Sequence, residues 1–206
     1  MYHFLAKILM KKTYFLLVFV LFACQKQPHS DYFSQIQQQR QDKDISFKKS
    51  QNSPLKAEQK KAFFGLSYFK IDTAFRVLAK LELLSGDSML TFRTSKQKDR
   101  LYKRYAHIYF VLKGKKCRLL LLQAVNNPQA EGLLFLPFTD LSSGEESYGA
   151  GRYLDLEISQ NKEILIDFNL AYNPYCAYND AYDCPIPPLE NHLDLKIEAG
   201  ERVFEK

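Results

Sequence analysis

Histidine is scarce in this 206-residue chain, with four in all, and that scarcity narrows the chemistry open to it. His3 and His29 lie near the N-terminus, which leaves His107 and His192 as bases for nucleophilic catalysis. A thiol enzyme built on Cys176 or Cys184 would need one of them. No serine stands in a nucleophile-elbow sequence. Cysteine is equally sparse, also four, and Cys176, Cys184 and His192 match no usual zinc spacing. The glycines of Tyr148-Gly149-Ala150-Gly151-Arg152 precede no helix, so they shape a turn and do not cradle a phosphate. Repeats, heptads and low-complexity blocks are absent. So is any apolar run of the ~20 residues needed to cross a bilayer as a helix.

The N-terminus has a pattern of its own. Lys7, Lys11 and Lys12 precede an apolar stretch over residues 13–23, closing on Leu21-Phe22-Ala23-Cys24. A basic start, a short apolar centre and a small residue at the cut make an export signal. The cysteine after the small residue resembles the lipobox of bacterial lipoproteins. That resemblance implies a signal peptide over 1–23, a lipid (palmitate-type acylation) on Cys24, a polar tether over 24–30, and a place in the bacterial cell envelope, anchored to a membrane. Removing the leader lowers the charge. The 29 lysines and arginines less three leave 26 against 23 acids. So small a surplus does not suggest nucleic acid.

Residues 31–206 read as one β-rich domain, long enough for a core without staples. Residues 31–49 carry Tyr32, Phe33 and Ile36 on one helical face, capped by Ser30 or Asp31. Ser53-Pro54 reads as the start of a second helix, ending at Gly65. The period then changes to two. Ile71, Thr73, Phe75, Val77, Ala79, Leu81 and Leu83 alternate with mostly polar neighbours, which predicts a strand. Further strands are predicted over 89–94, 105–112, 116–125, 132–138, 152–158, 164–171 and 192–198. Gly114-Lys115 reads as a two-residue hairpin turn. It sets Ile108 opposite Leu121, Phe110 opposite Leu119 and Leu112 opposite Cys117, so Cys117 points inward and is inert. The fold class is mainly β: an antiparallel barrel or sandwich with one or two N-terminal helices.

The alternation in residues 152–171 predicts a hairpin with Leu156 opposite Ile166. On its other face Asp155 then stands opposite Asp167, and Tyr153 opposite Asn169. Facing like charges are destabilising, so a cation, a basic side chain, a shared proton or open water must offset them. Paired carboxylates suit acid/base work or a hard cation such as calcium or magnesium. Asp155 and Asp167 are therefore the weak metal candidates; a solvated face is the bland alternative. Residues 171–191 are rich in tyrosine, asparagine and proline. They read either as a rigid recognition loop or as a lid over the end of the sheet. Cys176 and Cys184, in the same loop, are either bridged or two reduced thiols.

Several of these stretches resemble a bacterial and archaeal family known as domain of unknown function 1684. They are YGAGRYLDL at 148–156, DFNLAYNPYCAYN at 167–179, CPIPPLEN at 184–191 and AGE at 199–201. Ser53-Pro54-Leu55, Gly65-Leu66 with Tyr68-Phe69, and Leu136-Pro137-Phe138 are similar to its upstream blocks. The likeness spans about residues 31–205. It implies no activity, but its motifs include Arg152, Tyr153, Asp155, Asp167, Asn169, Asn173, Cys176, Tyr178, Cys184, Pro185, Glu190 and Asn191.

The sequence thus points first to a lipid-anchored protein that binds a small polar ligand or a divalent cation. The candidate ligand residues are Arg152, Tyr153, Asp155, Asp167, Asn169, Asn173, Tyr175, Tyr178, Glu190 and Asn191. An envelope hydrolase using the paired aspartates, and a structural component of an envelope complex, are the alternatives.

Overall fold

A computed structural model describes residues 28–205 apart from Asp87 and Asn126, with side chains from Asp31 onward. The leader and Cys24 lie outside the described residues. Among those described, no helix is long and apolar enough to cross a membrane. Two helices come first: α1 (Pro28–Lys49) and α2 (Ala57–Ala62). Helix α1 takes in the last residues of the expected tether. Helix α2 is shorter than predicted because Ser53 does not cap it. The Ser53 hydroxyl donates to the Phe47 carbonyl and accepts from the Leu55 amide. That turn drives Leu55 into a small cluster with Phe47, Phe63 and Tyr178.

Eight strands follow: β1 (Arg76–Leu83), β2 (Met89–Arg93), β3 (Asp99–Leu112), β4 (Lys115–Ala124), β5 (Leu133–Asp140), β6 (Arg152–Glu157), β7 (Glu163–Asp167) and β8 (His192–Leu193). They form one curled, mainly antiparallel half-barrel in the order β6-β5-β4-β3-β1-β7, with β2 on β3 and β8 parallel to β5. Strand β3 is long enough to serve two partners. Its first half pairs with β2 and its second with β1, and a register shift at Arg104/Ala106 bends it between them. Such a bulge adds twist, which curls the sheet.

Alternation places the core. Phe75, Ala79 and Leu81 from β1 and its approach meet Ile108, Phe110, Leu119, Leu121, Leu136, Ile166 and Phe168 on the concave side. Strand β4 is buried on both faces, with Leu119 to Leu122 wholly inaccessible. Each such leucine contributes about 2 kcal/mol. Leu120 and Leu122 pack outward against Phe92 and Tyr102. Cys117 is buried, and burial raises its thiol pKa.

Three expected pairings differ. The β3–β4 turn is Lys113-Gly114, both with positive φ, and it pairs Ile108 with Leu119 and Phe110 with Cys117. The slip is two residues, so every side chain keeps its face. Strands β6 and β7 do not pair with each other. Leu156 lies opposite Leu134 and Asp155 opposite Phe135, while Asp167 lies opposite Arg76. The two strands are the free ends of the half-barrel, so the charges of Asp155 and Asp167 are not set across a ladder.

The third difference concerns residues 192–198. A strand was expected here; Leu193, Leu195, Ile197 and Ala199 are buried in alternation, but only His192–Leu193 joins a strand. A single side chain replaces the missing neighbour. Arg152, fully buried, donates through Nη2 to the Ile197 carbonyl (2.8 Å) and through Nη1 to those of Ala199 (2.5 Å) and Glu201 (3.1 Å). The Ile197 and Ala199 carbonyls share one edge of the chain, and past the bend at Gly200, where φ is +78°, the Glu201 carbonyl reaches the same guanidinium. Its charge is met by Asp140 at 2.9 Å, itself wholly buried. Asp140 also accepts from the Ile197 and Ser142 amides.

Candidate functional site

The half-barrel has a seam where β6 and β7 fail to meet, and α1 lies along it. Ile36, 3% exposed, seals the seam from the helix side. Tyr32 and Ile36 share a helical face at i,i+4, and Arg40, Lys43 and Phe47 extend that stripe along the helix. At one end the seam narrows. Tyr172, just beyond β7, makes an isolated antiparallel bridge with Tyr153 of β6. Two adjoining cavities flank the helix. One, about 230 Å³, is lined by Tyr32, Gln39, Arg76, Asp155 and Asp167 among others. The other, about 140 Å³, is lined by Arg40, Lys43, Tyr68, Asn169, Tyr172 and Glu201 among others.

Asp155 and Asp167 therefore reach the same cavity from opposite lips, each with its own donor. The Tyr172 hydroxyl donates to Asp155 at 2.7 Å. The Tyr32 hydroxyl donates to Asp167 at 2.8 Å, and Arg76 stands 3.7 Å from the same carboxylate. Asn169 fixes the floor. Its amide nitrogen donates to Asp167, to Tyr32 and to the Asp72 carbonyl, and its oxygen accepts from the Asp72 amide. Loss of solvation raises the Asp155 pKa, opposed by the Tyr172 hydrogen bond and by Lys43. Burial also raises the Tyr32 phenol, and the Asp167 hydrogen bond adds to the rise. Both tyrosines are donors at neutral pH.

The smaller cavity is richer in charge. Glu201, 2% exposed, is paired to Lys43 at 2.5 Å, takes the Tyr178 hydroxyl, and accepts from the Asn173 amide at 2.8 Å. Lys43 lies over the Tyr172 ring, 4.9 Å from its centre. Arg40 lies 4.5 Å over the Tyr68 ring and donates to the Phe69 and Asn169 carbonyls. Two buried atoms here lack a protein partner: Arg40 Nε and the Tyr68 hydroxyl. Burial, then Glu201 and Asp44, push the Tyr68 phenol up, and burial lowers the Arg40 guanidinium pKa.

The other residues expected in a site lie elsewhere. Arg152 is the core latch described above. The Tyr153 hydroxyl donates to the Pro185 carbonyl inside the protein. Asn173 ties down the tail through the Arg202 carbonyl, and Tyr178 sits against Phe47. Tyr175 is exposed and edges onto Phe47 and Tyr182. Glu190 pairs with Arg104 and His107 on the outer face of the sheet. Buried Asn191 substitutes for backbone, binding the Leu120 amide and carbonyl and the Pro137 carbonyl. Cys176 and Cys184 form a disulfide. It anchors the loop, which also pairs Thr94 with Pro185 across to the turn after β2. Among the described residues no group of three or more His, Cys, Asp or Glu is placed to hold a metal ion.

Tyr32, Arg40, Lys43, Tyr68, Arg76 and Glu201 were not expected in the site. The i,i+4 and i,i+3 spacing of the α1 residues was a signal present in the sequence; the approach of Tyr68 to Glu201, which form an isolated bridge, had none.

The family described as "Protein of unknown function (DUF1684)" matches residues 61–202. The chain belongs to that family. The match leaves out α1, so the helical wall of both cavities comes from outside the matched range. Among solved structures, this DUF1684 chain is similar to an uncharacterized protein from gene locus rrnAC0354 of Haloarcula marismortui. The two are 36% identical, with a TM-score of 0.67, over 84% of this chain and 95% of that one. No curated protein matches the chain.

Proposed function

We propose that this DUF1684 protein is a membrane-tethered binding protein, held by lipid on Cys24, that takes a small polar ligand in the seam beneath α1. The observation that carries the reading is the pair of unpaired buried atoms, Arg40 Nε and the Tyr68 hydroxyl, in two walls of the 140 Å³ cavity. A buried polar group without a partner costs about 1–3 kcal/mol; of the four such atoms among the described residues, these two belong to residues lining the cavity, whereas Arg152 Nε and Asn173 Oδ1 do not. Arg40 Nε can only donate and the Tyr68 phenol is kept protonated, so the ligand presents an acceptor, a carbonyl or carboxylate oxygen. Lys43 adds positive charge; Glu201 offers an acceptor to a donor on the same molecule. Three cationic side chains along the seam, Arg40, Lys43 and Arg76, favour this over a divalent cation. The volume equals about five water molecules' share of the liquid, which suits a ligand of a few heavy atoms.

Acetate, glycolate, glycine and acetamide test the reading by thermal shift. Saturation at about 100 times Kd contributes ~2.7 kcal/mol of stability, a rise of several degrees. At least one should shift the wild type and leave Arg40→Met and Tyr68→Phe unmoved. No shift with any of the four, or equal shifts in the variants, contradicts the reading.

A further inference from the structure

At the far end of α1 from the tether, Phe64 stands wholly in solvent, at 101% exposure, beside buried Phe63 at 7%. Five lysines lie on the two helices at this end: Lys48 and Lys49 in the last turn of α1, and Lys56, Lys60 and Lys61 on and before α2; the Lys48 ammonium also donates to the Lys61 and Phe63 carbonyls, and that of Lys60 to the Ser50 carbonyl. The Lys48 ammonium lies 6.0 Å from the centre of the Phe64 ring. Arg202 joins them across an open groove of about 570 Å³, lined also by Phe63, Phe64, Val203 and Phe204. Val203 is itself 40% exposed. Acids lie here too: Asp44, whose carboxylate is tied to the Leu66 amide, Glu58, Glu205, and Glu146, whose carbonyl accepts from the Val203 amide and whose carboxylate pairs with Lys196. Basic side chains therefore stand near an exposed ring at this end of the molecule.

We infer that this end is a second membrane contact, a face that docks on an anionic bilayer with Phe64 seated among the headgroups. Cationic side chains complement an anionic lipid surface, and an aromatic tip gains by leaving water for the interface. Contact through Phe64 does not depend on the cavity under α1; that it is a second contact, with α1 held at both ends, rests on the lipid proposed at Cys24. Helix α1 is 22 residues, about 33 Å long at 1.5 Å per residue. A chain held at both ends of α1 lies along the membrane.

The chain contains no tryptophan, so Phe64→Trp supplies a single fluorescent reporter. Residues 28–206 are the material of choice, since they hold every core cluster found among the described residues and carry neither the expected leader nor its lipid site. With vesicles of 30% phosphatidylglycerol in phosphatidylcholine, the tryptophan emission should shift to the blue. It should not shift with pure phosphatidylcholine, and salt should reverse it. In cosedimentation, Phe64→Ser and the double variant Lys49→Glu/Lys61→Glu should each bind about tenfold less than the unaltered domain. All three changes sit on the surface, and unchanged thermal melting verifies the fold. Equal binding to neutral vesicles, no binding to either, or full binding by Phe64→Ser overturns the inference. Capture by an acidic protein in place of lipid does so as well.

Discussion

Replacing Arg152 with methionine removes the strand substitute and leaves the shape nearly filled. The guanidinium is fully buried, paired to Asp140 at 2.9 Å, and donates to the carbonyls of Ile197, Ala199 and Glu201. Methionine leaves a buried carboxylate unpaired and three carbonyls short of a donor. Breaking a buried pair from one side costs about 3–5 kcal/mol. For a domain of this size each kcal/mol lowers Tm by about 2–4 °C, so a fall on the order of 10 °C is expected. The loss should be local first. Hydrogen exchange at the Ile197 amide, which donates to Asp140 at 3.1 Å, should speed up before that of the β4 amides. Lys196, next in sequence but in an exposed pair with Glu145 and Glu146, is the control: Lys196→Met should move Tm by no more than about 1 °C. If Arg152→Met melts within about 3 °C of wild type, the reasoning that the guanidinium replaces a strand is refuted.

Other expectations follow from single contacts. At Gly200, with φ +78°, an added Cβ would lie 2.5 Å from the Ala171 carbonyl oxygen, whereas at Gly132, with φ +79°, it meets nothing within 4 Å. Gly200→Ala should cost several kcal/mol and Gly132→Ala about 1 kcal/mol, the backbone strain alone, as read from urea midpoints. Tyr32→Phe deletes the donor to Asp167 and one partner of Asn169, and should cost about 1–2 kcal/mol; an unchanged melting curve would show that α1 does not hold the seam. The Asp155 pKa is raised in the folded state, so the native protein binds the proton more tightly than the unfolded chain. Stability should therefore fall as pH rises from the ordinary aspartate pKa through the raised one. Asp155→Asn should flatten that slope, and a slope of opposite sign would contradict the burial argument.

The strands and their buried faces were legible because period two is a local property. Phe75, Ala79 and Leu81, or Leu193, Leu195 and Ile197, announce a face whatever they pair with. Neighbours were less legible. Residues 152–157 and 163–167 are consecutive strands with matching apolar faces, yet they bound the sheet at opposite ends. Sequence proximity favours pairing only about two times in three, and here the curl of β3 brings β1 to β7 instead. The hairpin at Lys113-Gly114 slipped by two because either a glycine-first or a lysine-glycine turn fits the motif. Only a left-handed Lys113 distinguishes them. Most of the polar residues singled out by motif are internal fasteners. Arg152, Asn173 and Asn191 satisfy backbone groups that have no strand partner. A polar residue in a motif block looks the same in sequence whether it serves a ligand or a carbonyl. The disulfide and the Tyr153 hydroxyl hold the loop that was expected to recognise something. The seam itself, with α1 across it, follows from the strand order and could not be read before that order was known.

The most direct test of the account is an NMR titration of residues 28–206 with whichever of the four small solutes raises Tm. Shift changes should cluster at Gln39, Arg40, Lys43, Tyr68, Asn169 and Tyr172, the walls of the small cavity, and should vanish in Arg40→Met. Changes centred on the loop 173–191, or scattered over the surface and retained in Arg40→Met, would contradict a ligand site beneath α1.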